Sequence, residues 1–224
     1  MAKRIKLRDR KLPTYTRGEE IMNMVTHIVG GSIGILALAV CVIKSVLASS
    51  TLGLVGSIVF GCTMIVLYCI SSIYHGLRPS TGKKVMQIID HCTIYFLISG
   101  TYTPILLSAF VPVYPLLGWG LLIAEWGLAI LAAVLTAIDL KKYTVFSMIC
   151  YIGMGWGIIL FLPQALHVIG RSGFFLLLSG GIAYTIGAVL YGIGAKRRWM
   201  HSVFHIFVVL GSLLQFLSII LYVL

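Results

Sequence analysis

The sequence predicts an all-α polytopic membrane protein with seven transmembrane helices, and its composition carries that prediction. Hydrophobic residues make up 59% of the 224 residues, and the mean hydropathy is +1.04. Only 10% of the residues are charged, so a water-soluble domain of this size could not cover its apolar surface. Apolar stretches long enough to cross a bilayer recur along the chain, separated by short polar or Gly- and Pro-containing segments.

Seven apolar stretches follow a basic tail at residues 1–18 and form one predicted membrane domain over residues 19–224. The predicted helices cover 19–47, 52–75, 85–110, 116–138, 144–168, 174–194 and 199–224. Fifteen of the 17 Lys and Arg residues fall in the tail or in the loops at 76–84, 139–142 and 195–198. Because such residues are enriched on the cytoplasmic side, we expect a cytoplasmic N-terminus and a C-terminus on the opposite side.

The net charge of +11 is therefore interpreted as an orientation and membrane-surface signal. We expect membrane lipids as partners, no nucleic acid, and a multi-pass location in the cell (plasma) membrane. Small-residue pairs at Gly30/Gly34 and Gly153/Gly157 predict close helix packing. The cysteines form no CxxC pair, and we interpret them as small buried residues without disulfides; they are Cys41, Cys62, Cys69, Cys92 and Cys150.

Polar and ionisable side chains collect near the helix ends that the charge count places at the cytoplasmic face. Such groups are costly in hydrocarbon unless they are paired or bind a ligand. Four helices contribute to this predicted polar layer, with Glu20, Asn23, His27, Ser71, His75, Asp90, His91, His201 and His205.

The histidines of this layer predict a zinc site. His201 and His205 are four residues apart and therefore share one helix face, and His75 supplies a third imidazole. Three histidines with an open fourth position are a catalytic arrangement for Zn²⁺, which lowers the pKa of a bound water to about 7. Asp90 is the predicted acceptor of the water's proton, and Ser71 is predicted to hydrogen-bond a ligand or a substrate carbonyl.

Other polar residues keep alternative interpretations. Glu20 and Asn23 either cap the first helix or orient a zinc ligand from the second coordination shell. His27 contributes to the site, pairs with Glu20, or lies one turn too deep. His167 is interpreted as a packed, hydrogen-bonded residue, and Glu125 has no visible partner and no assigned role.

Several motifs together resemble the hemolysin III family. They are Glu20-Ile-Met-Asn23-Met-Val-Thr-His27, Ser71-Ser-Ile-Tyr-His75, Asp90-His91, Gly100-Thr101-Tyr102-Thr103-Pro104 and His201-Ser-Val-Phe-His205. That family belongs to the progestin and adiponectin receptor (PAQR) superfamily, which is related to alkaline ceramidases. The resemblance implies that His75, His201 and His205 bind zinc, that Asp90 contacts the zinc-bound water, and that the N-terminus is cytoplasmic.

Three functions follow as hypotheses. The first is a zinc-dependent, ceramidase-like hydrolase of a lipid amide or ester, or a regulator of membrane lipid homeostasis that uses the same site. The second is cytolysis by pore formation, as the family name implies; a chain that is hydrophobic throughout supports this poorly, because released pore formers need a soluble state. The third is a receptor or sensor in which zinc is structural.

Overall fold

The computed structural model describes residues 7–194 and 197–224, and every regular element in these two ranges is helical. The all-α prediction is therefore confirmed. The first six residues of the predicted tail, and Ala195 and Lys196 of the predicted loop 195–198, lie outside the described residues. The long helices are α1 Arg17–Leu47, α2 Thr51–Gly76, α3 Thr81–Pro104, α4 Pro115–Ile138, α5 Thr144–Trp156, α6 Leu162–Gly194 and α7 Met200–Tyr222.

Shorter helical pieces complete the described chain. They are the 3-10 helices Leu7–Asp9 and Gly157–Phe161, the π-helix Ile105–Phe110 and one α-helical turn at Val111–Val113. Within residues 7–194 and 197–224, six helical runs are long and apolar enough to cross a membrane, including one continuous run of 51 residues from Thr144 to Gly194. Large apolar side chains such as Leu116 and Ile123 point outward, as lipid-facing residues do. The chain is a multi-pass integral membrane protein.

Local hydrogen bonds explain where the first two helices begin. The hydroxyl of Thr16 accepts from the backbone N–H of Glu19, and the Glu19 carboxylate accepts from the backbone N–H of Thr16 at 2.8 Å. This reciprocal capping box satisfies donors that the first turn cannot pair internally. Ser50 caps α2 in the simpler way, by accepting from the N–H of Gly53 at 3.0 Å.

The start of α3 differs from the prediction. Ser80 is its N-cap and accepts from the backbone N–H of Lys83 at 3.1 Å. The helix therefore begins at Thr81, one turn earlier than the predicted start at residue 85. Lys83, which the prediction placed in a solvated loop, lies in the first turn of α3 and is only 3% exposed.

Two breaks interrupt the long apolar runs. Pro104 lacks a backbone N–H and cannot continue the regular hydrogen-bond pattern, and the π-helix follows it directly. Gly170 has φ +67° and ψ 169°, a non-helical conformation inside α6. The indole N–H of Trp156 donates to the hydroxyl of Thr185 at 3.0 Å. Since these residues lie at nearly equal separations before and after Gly170, the two flanking segments run side by side and antiparallel.

Close packing at glycines holds α1 against α2. A Cβ built on Gly30 would lie 2.5 Å from the ring of Tyr68, and one on Gly34 would lie 3.1 Å from the side chain of Ile65. The packing prediction for Gly30 and Gly34 is confirmed. It is wrong for Gly153, where a Cβ would meet nothing within 4 Å, because that face of α5 has no neighbouring helix.

The five cysteines are all free, as predicted. Cys41 and Cys150 are buried, but Cys62 and Cys69 are exposed. The prediction of burial is wrong for this pair, because both lie on the outward face of α2.

Gly30→Ala tests the packing of α1 on α2. We expect a loss of stability of about 1–3 kcal/mol, because the added methyl group must displace the fully buried Tyr68 ring. Gly127→Ala is the matched control, since a Cβ there would meet nothing within 4 Å. Thermal unfolding of both variants in detergent measures the difference, and equal midpoints would contradict this packing.

Candidate metal centre

Three histidines from two helices meet at one end of the helix bundle. His75 lies in the last turn of α2, and His201 and His205 lie in the first turns of α7. One ring nitrogen from each lies within 4.8 Å of the others, and the Nε2 atoms of His201 and His205 are 3.0 Å apart. These three residues, called the histidine cluster below, could hold a metal ion.

The donor atoms of the histidine cluster fit a metal. Nε2 of His75 is buried and has no hydrogen-bond partner, which is unusual for a buried polar atom and points to a ligand. Nitrogens around one tetrahedral zinc lie about 3.3 Å apart, so small side-chain rotations suffice to bring all three onto one ion. Imidazole is a ligand that zinc, copper, iron and nickel share.

Glu20 orients His75. One carboxylate oxygen of Glu20 lies 2.7 Å from Nδ1 of His75, and the other lies 2.5 Å from Nζ of Lys83. Because a carboxylate accepts, Nδ1 carries the proton and Nε2 keeps its lone pair toward the cluster. Lys83 also donates to the carbonyl of Leu77 at 2.9 Å. Thr16 and Glu19 cap α1, which leaves the Glu20 side chain for this contact.

Asn23 and His27 surround the cluster from α1. Nδ2 of Asn23 lies 3.4 Å from Nδ1 of His75. The His27 ring stacks on His205 with centroids 3.8 Å apart and meets Tyr68 edge-on. Both ring nitrogens of His27 are buried without hydrogen-bond partners. His27 therefore packs against a cluster residue and does not pair with Glu20.

Asp90 and Ser71 lie beside the cluster. Ser71 and Asp90 line the same cavity as His201 and His205, and the Asp90 carboxyl faces Ser71 and His75. His91 lines the same cavity but is not part of the cluster: its Nδ1 lies 2.8 Å from the carbonyl of Gln87, and its Nε2 lies 3.3 Å from the Tyr191 hydroxyl. The structure thus brings the predicted carboxylate and hydroxyl to the predicted ligands.

A cavity of about 720 Å³ begins at this polar cluster and continues into the bundle. His205 and Asp90 line one end of it, and Phe174, Val208 and Gln215 line the deep part. Gln215 lies roughly 15 Å further along α7 than His205. Beyond the polar end the walls are mostly apolar, which is typical of a pocket for a hydrophobic ligand.

The segment before α1 covers the polar end of this cavity. The ring of Tyr15 stacks on His201 with centroids 4.8 Å apart and planes 19° apart. Burial raises the pKa of the Tyr15 phenol, which therefore stays neutral. Residues 9–13 line the cavity as well. Glu19 fixes the end of the segment, because its carboxylate also accepts from the backbone N–H of Trp199 at 2.7 Å.

Comparison with known proteins identifies the family. The family model described as haemolysin-III related matches residues 15–216. The chain belongs to this family. It is 36% identical to hemolysin-3 of Bacillus cereus over 206 residues, which are 92% of each chain. It is 35% identical to the hemolysin-3 homolog of Bacillus subtilis (strain 168) over 208 residues, which are 93% of this chain and 96% of the relative.

A more distant relative supports the wider relationship. The human monocyte to macrophage differentiation factor is 23% identical over 169 residues, which are 72% of this chain and 67% of that protein. The resemblance to hemolysin III is confirmed, and this match is consistent with the relation to the PAQR superfamily. The stretch that matches the haemolysin-III model begins at Tyr15 and includes the whole histidine cluster.

Sequence reasoning missed two contributors to the site. The local composition predicts a loop at Lys83, although Ser80 three residues earlier is a helix-capping residue type. It predicts a tail at Tyr15, although Thr16 and Glu19 have the spacing of a capping box and so place Tyr15 at the helix entry. For His167 the predicted hydrogen bond is confirmed, since its Nδ1 lies 2.9 Å from the Tyr114 hydroxyl, but the residue is exposed and the prediction of a packed side chain is wrong.

His201→Ala and His205→Ala test the cluster, and we expect each purified variant to lose its bound metal, since each removes one donor. Glu20→Gln keeps all three donors but weakens the hold on His75, and we expect metal affinity to fall about 10–100-fold. Metal analysis after dialysis against a graded chelator series measures both effects. His167→Ala is the control. Full metal retention by both cluster variants would rule out this site.

Proposed function

We propose that this membrane protein is a zinc-dependent hydrolase that cleaves an amide or ester bond of a lipid. The observation that carries the proposal is a buried cluster of three imidazoles, two of which, His201 and His205, line the polar end of a long apolar cavity. A lipid matches a cavity with one polar end and apolar walls, because its polar linkage would lie at the histidines and its hydrocarbon chain would lie between the apolar walls.

The donor set supports zinc as the metal. His75, His201 and His205 would hold it, and three neutral imidazoles leave a position open for chemistry. When bound, zinc supplies a Lewis acid that activates water for nucleophilic attack near neutral pH. The Glu20 carboxylate keeps the His75 tautomer competent for binding throughout.

Asp90 is the proposed proton acceptor. Its side chain is 16% exposed, so it reaches the cavity while most of its surface is buried. Ser71 lies beside this carboxyl on the neighbouring helix. A carboxylate at this position can take a proton from the attacking water and return it to the leaving amine or alcohol.

Tyr15 is proposed to exclude bulk water. Its neutral ring covers His201, and a dry site strengthens the electrostatic interactions within it. The same cover also favours a second candidate, a sensor in which zinc is structural and permanently enclosed. The lytic activity that the name hemolysin-3 implies for the Bacillus cereus relative would follow here indirectly, from altered lipids.

We further propose seven membrane crossings with the N-terminus in the cytoplasm. The run Thr144–Gly194 has 51 residues, roughly 76 Å if helical throughout, which is more than twice the thickness of the hydrocarbon core. The Gly170 conformation and the Trp156–Thr185 hydrogen bond support two antiparallel crossings in this run. The distribution of Lys and Arg supports the orientation.

Reporter fusions test the topology. With seven crossings, a reporter on the N-terminus and one on the C-terminus should report opposite compartments, the N-terminal one the cytoplasm. A protease added to intact cells then removes only the C-terminal reporter. Both reporters on the same side would contradict seven crossings.

Lipid turnover tests the hydrolase. We expect purified protein to release fatty acid from members of a ceramide and phospholipid panel, and Asp90→Asn to lower the rate by about 10²–10⁴-fold while retaining metal. Asp139→Asn is the control, because the Asp139 carboxylate accepts from the backbone N–H of Lys142 at 3.1 Å and does not line the cavity. If metal-loaded protein turns over no lipid, the hydrolase proposal is contradicted and the sensor with structural zinc is favoured. Liposome leakage that persists in His75→Ala would favour a pore instead.

A further inference from the structure

Glu125 is an acidic residue that the metal centre does not use. It lies near the middle of α4, a helix of 24 residues from Pro115 to Ile138 in which it is the only charged residue. Ionisable groups at such depth are costly and by default mark a functional site. The residue does not line the large cavity, so a role in that cavity does not explain its presence.

The carboxyl of Glu125 has no cationic partner. Its Oε2 atom is buried and makes no hydrogen bond. Among the ion pairs of the described residues none involves Glu125. A permanently charged carboxylate in this position would be unstable, whereas a neutral carboxylic acid is tolerated.

Glu125 faces a second, smaller cavity of about 180 Å³. The opposite wall is the 3-10 helix Gly157–Phe161, where the regular α-helix is interrupted. A Cβ built on Gly157 would lie 3.5 Å from Oε1 of Glu125 and 3.8 Å from the hydroxyl oxygen of Tyr102. The glycine thus leaves open the space that both oxygens border. Irregular backbone at membrane depth is tolerated where it lines such a cavity.

Tyr102 connects this space with the large cavity. Its hydroxyl accepts from the backbone N–H of Ile158 at 3.0 Å and donates to the carbonyl of Gly155 at 3.2 Å. Tyr102 and Ile158 line both cavities, so they form the partition between them. Tyr102 is also the titratable residue that faces Glu125 from α3, and the wall from Gly157 to Phe161 presents none.

We propose that Glu125 is a proton-binding site at mid-membrane that loads and releases its proton through these adjoining cavities. The smaller cavity is large enough to admit water, and the Glu125 carboxyl and the Tyr102 hydroxyl are the side-chain groups on its wall that can hydrogen-bond it. The two carboxyl oxygens and one hydroxyl are too few for a hard metal cation, which takes about six or more oxygen ligands. We therefore assign the site to a proton. This assignment does not depend on the proposed hydrolase activity.

Carbodiimide labelling tests the site in the intact protein in detergent or liposomes. Dicyclohexylcarbodiimide enters apolar regions and reacts with protonated carboxyls: the acid proton moves to a carbodiimide nitrogen and the carboxyl oxygen adds to the central carbon. We expect one adduct per chain, located on Glu125 by peptide mass spectrometry. Above the titration midpoint its rate should fall about tenfold per pH unit.

Glu125→Gln, which keeps the side-chain size, should lose the adduct, and Asp139→Asn should keep it. Each variant's thermal unfolding midpoint serves as the folding control. An adduct that persists in Glu125→Gln, or wild-type labelling that is flat from about pH 5 to about pH 9, would overturn the proposal. Protection by Na⁺ at constant pH would also overturn it, in favour of a metal cation.

Discussion

The contact of Glu20 with His75 and Lys83 is the interaction on which the metal centre depends. One carboxylate from α1 accepts from residues of α2 and α3, so it ties three helices together at the end where the cluster forms. An isolated charge is costly in a membrane-embedded bundle, and loss of Glu20 would leave the buried Lys83 ammonium without its carboxylate partner. The same contact fixes the His75 tautomer, so the interaction that joins the three helices also orients His75 toward the metal site.

Small residues allow the helices that carry these contacts to approach one another closely. Gly30 lets α1 approach the Tyr68 ring on α2, and the Tyr68 hydroxyl donates to Ser212 on α7 at 2.7 Å. The close approach therefore positions α7 as well, and with it the His201–His205 pair. His27 fills the remaining space by stacking on His205. The apolar cavity continues below this layer because the long side chains of α6 and α7 pack around it without filling it.

Local patterns predicted most elements and the ligands themselves. Apolar runs gave the helices within a few residues, and the spacing of His201 and His205 on one helix face placed both donors together. Errors occurred where a side chain's partner lies far along the chain. Lys83 has the composition of a loop residue, and only Glu20, 63 positions away, explains its burial. The outward-facing Cys62 and Cys69 likewise depend on how α2 packs in the bundle. For Tyr15 the capping box at Thr16 and Glu19 is a local signal of the helix entry, and only its contact with His201 required the tertiary structure.

The sequence alone determined that this is a helical membrane protein in which Glu20, His75, Asp90, His201 and His205 lie near helix ends, because hydrophobicity and the cost of buried charge act on each segment separately. Only the tertiary structure decided which of those residues touch. It placed His75 Nε2 within reach of His201 and His205, assigned Glu20 to His75, and put Tyr15 over the cluster. It also placed Glu125 at the wall of the second, smaller cavity. These outcomes depend on how helices distant in sequence pack against one another, which is a property of the assembled bundle.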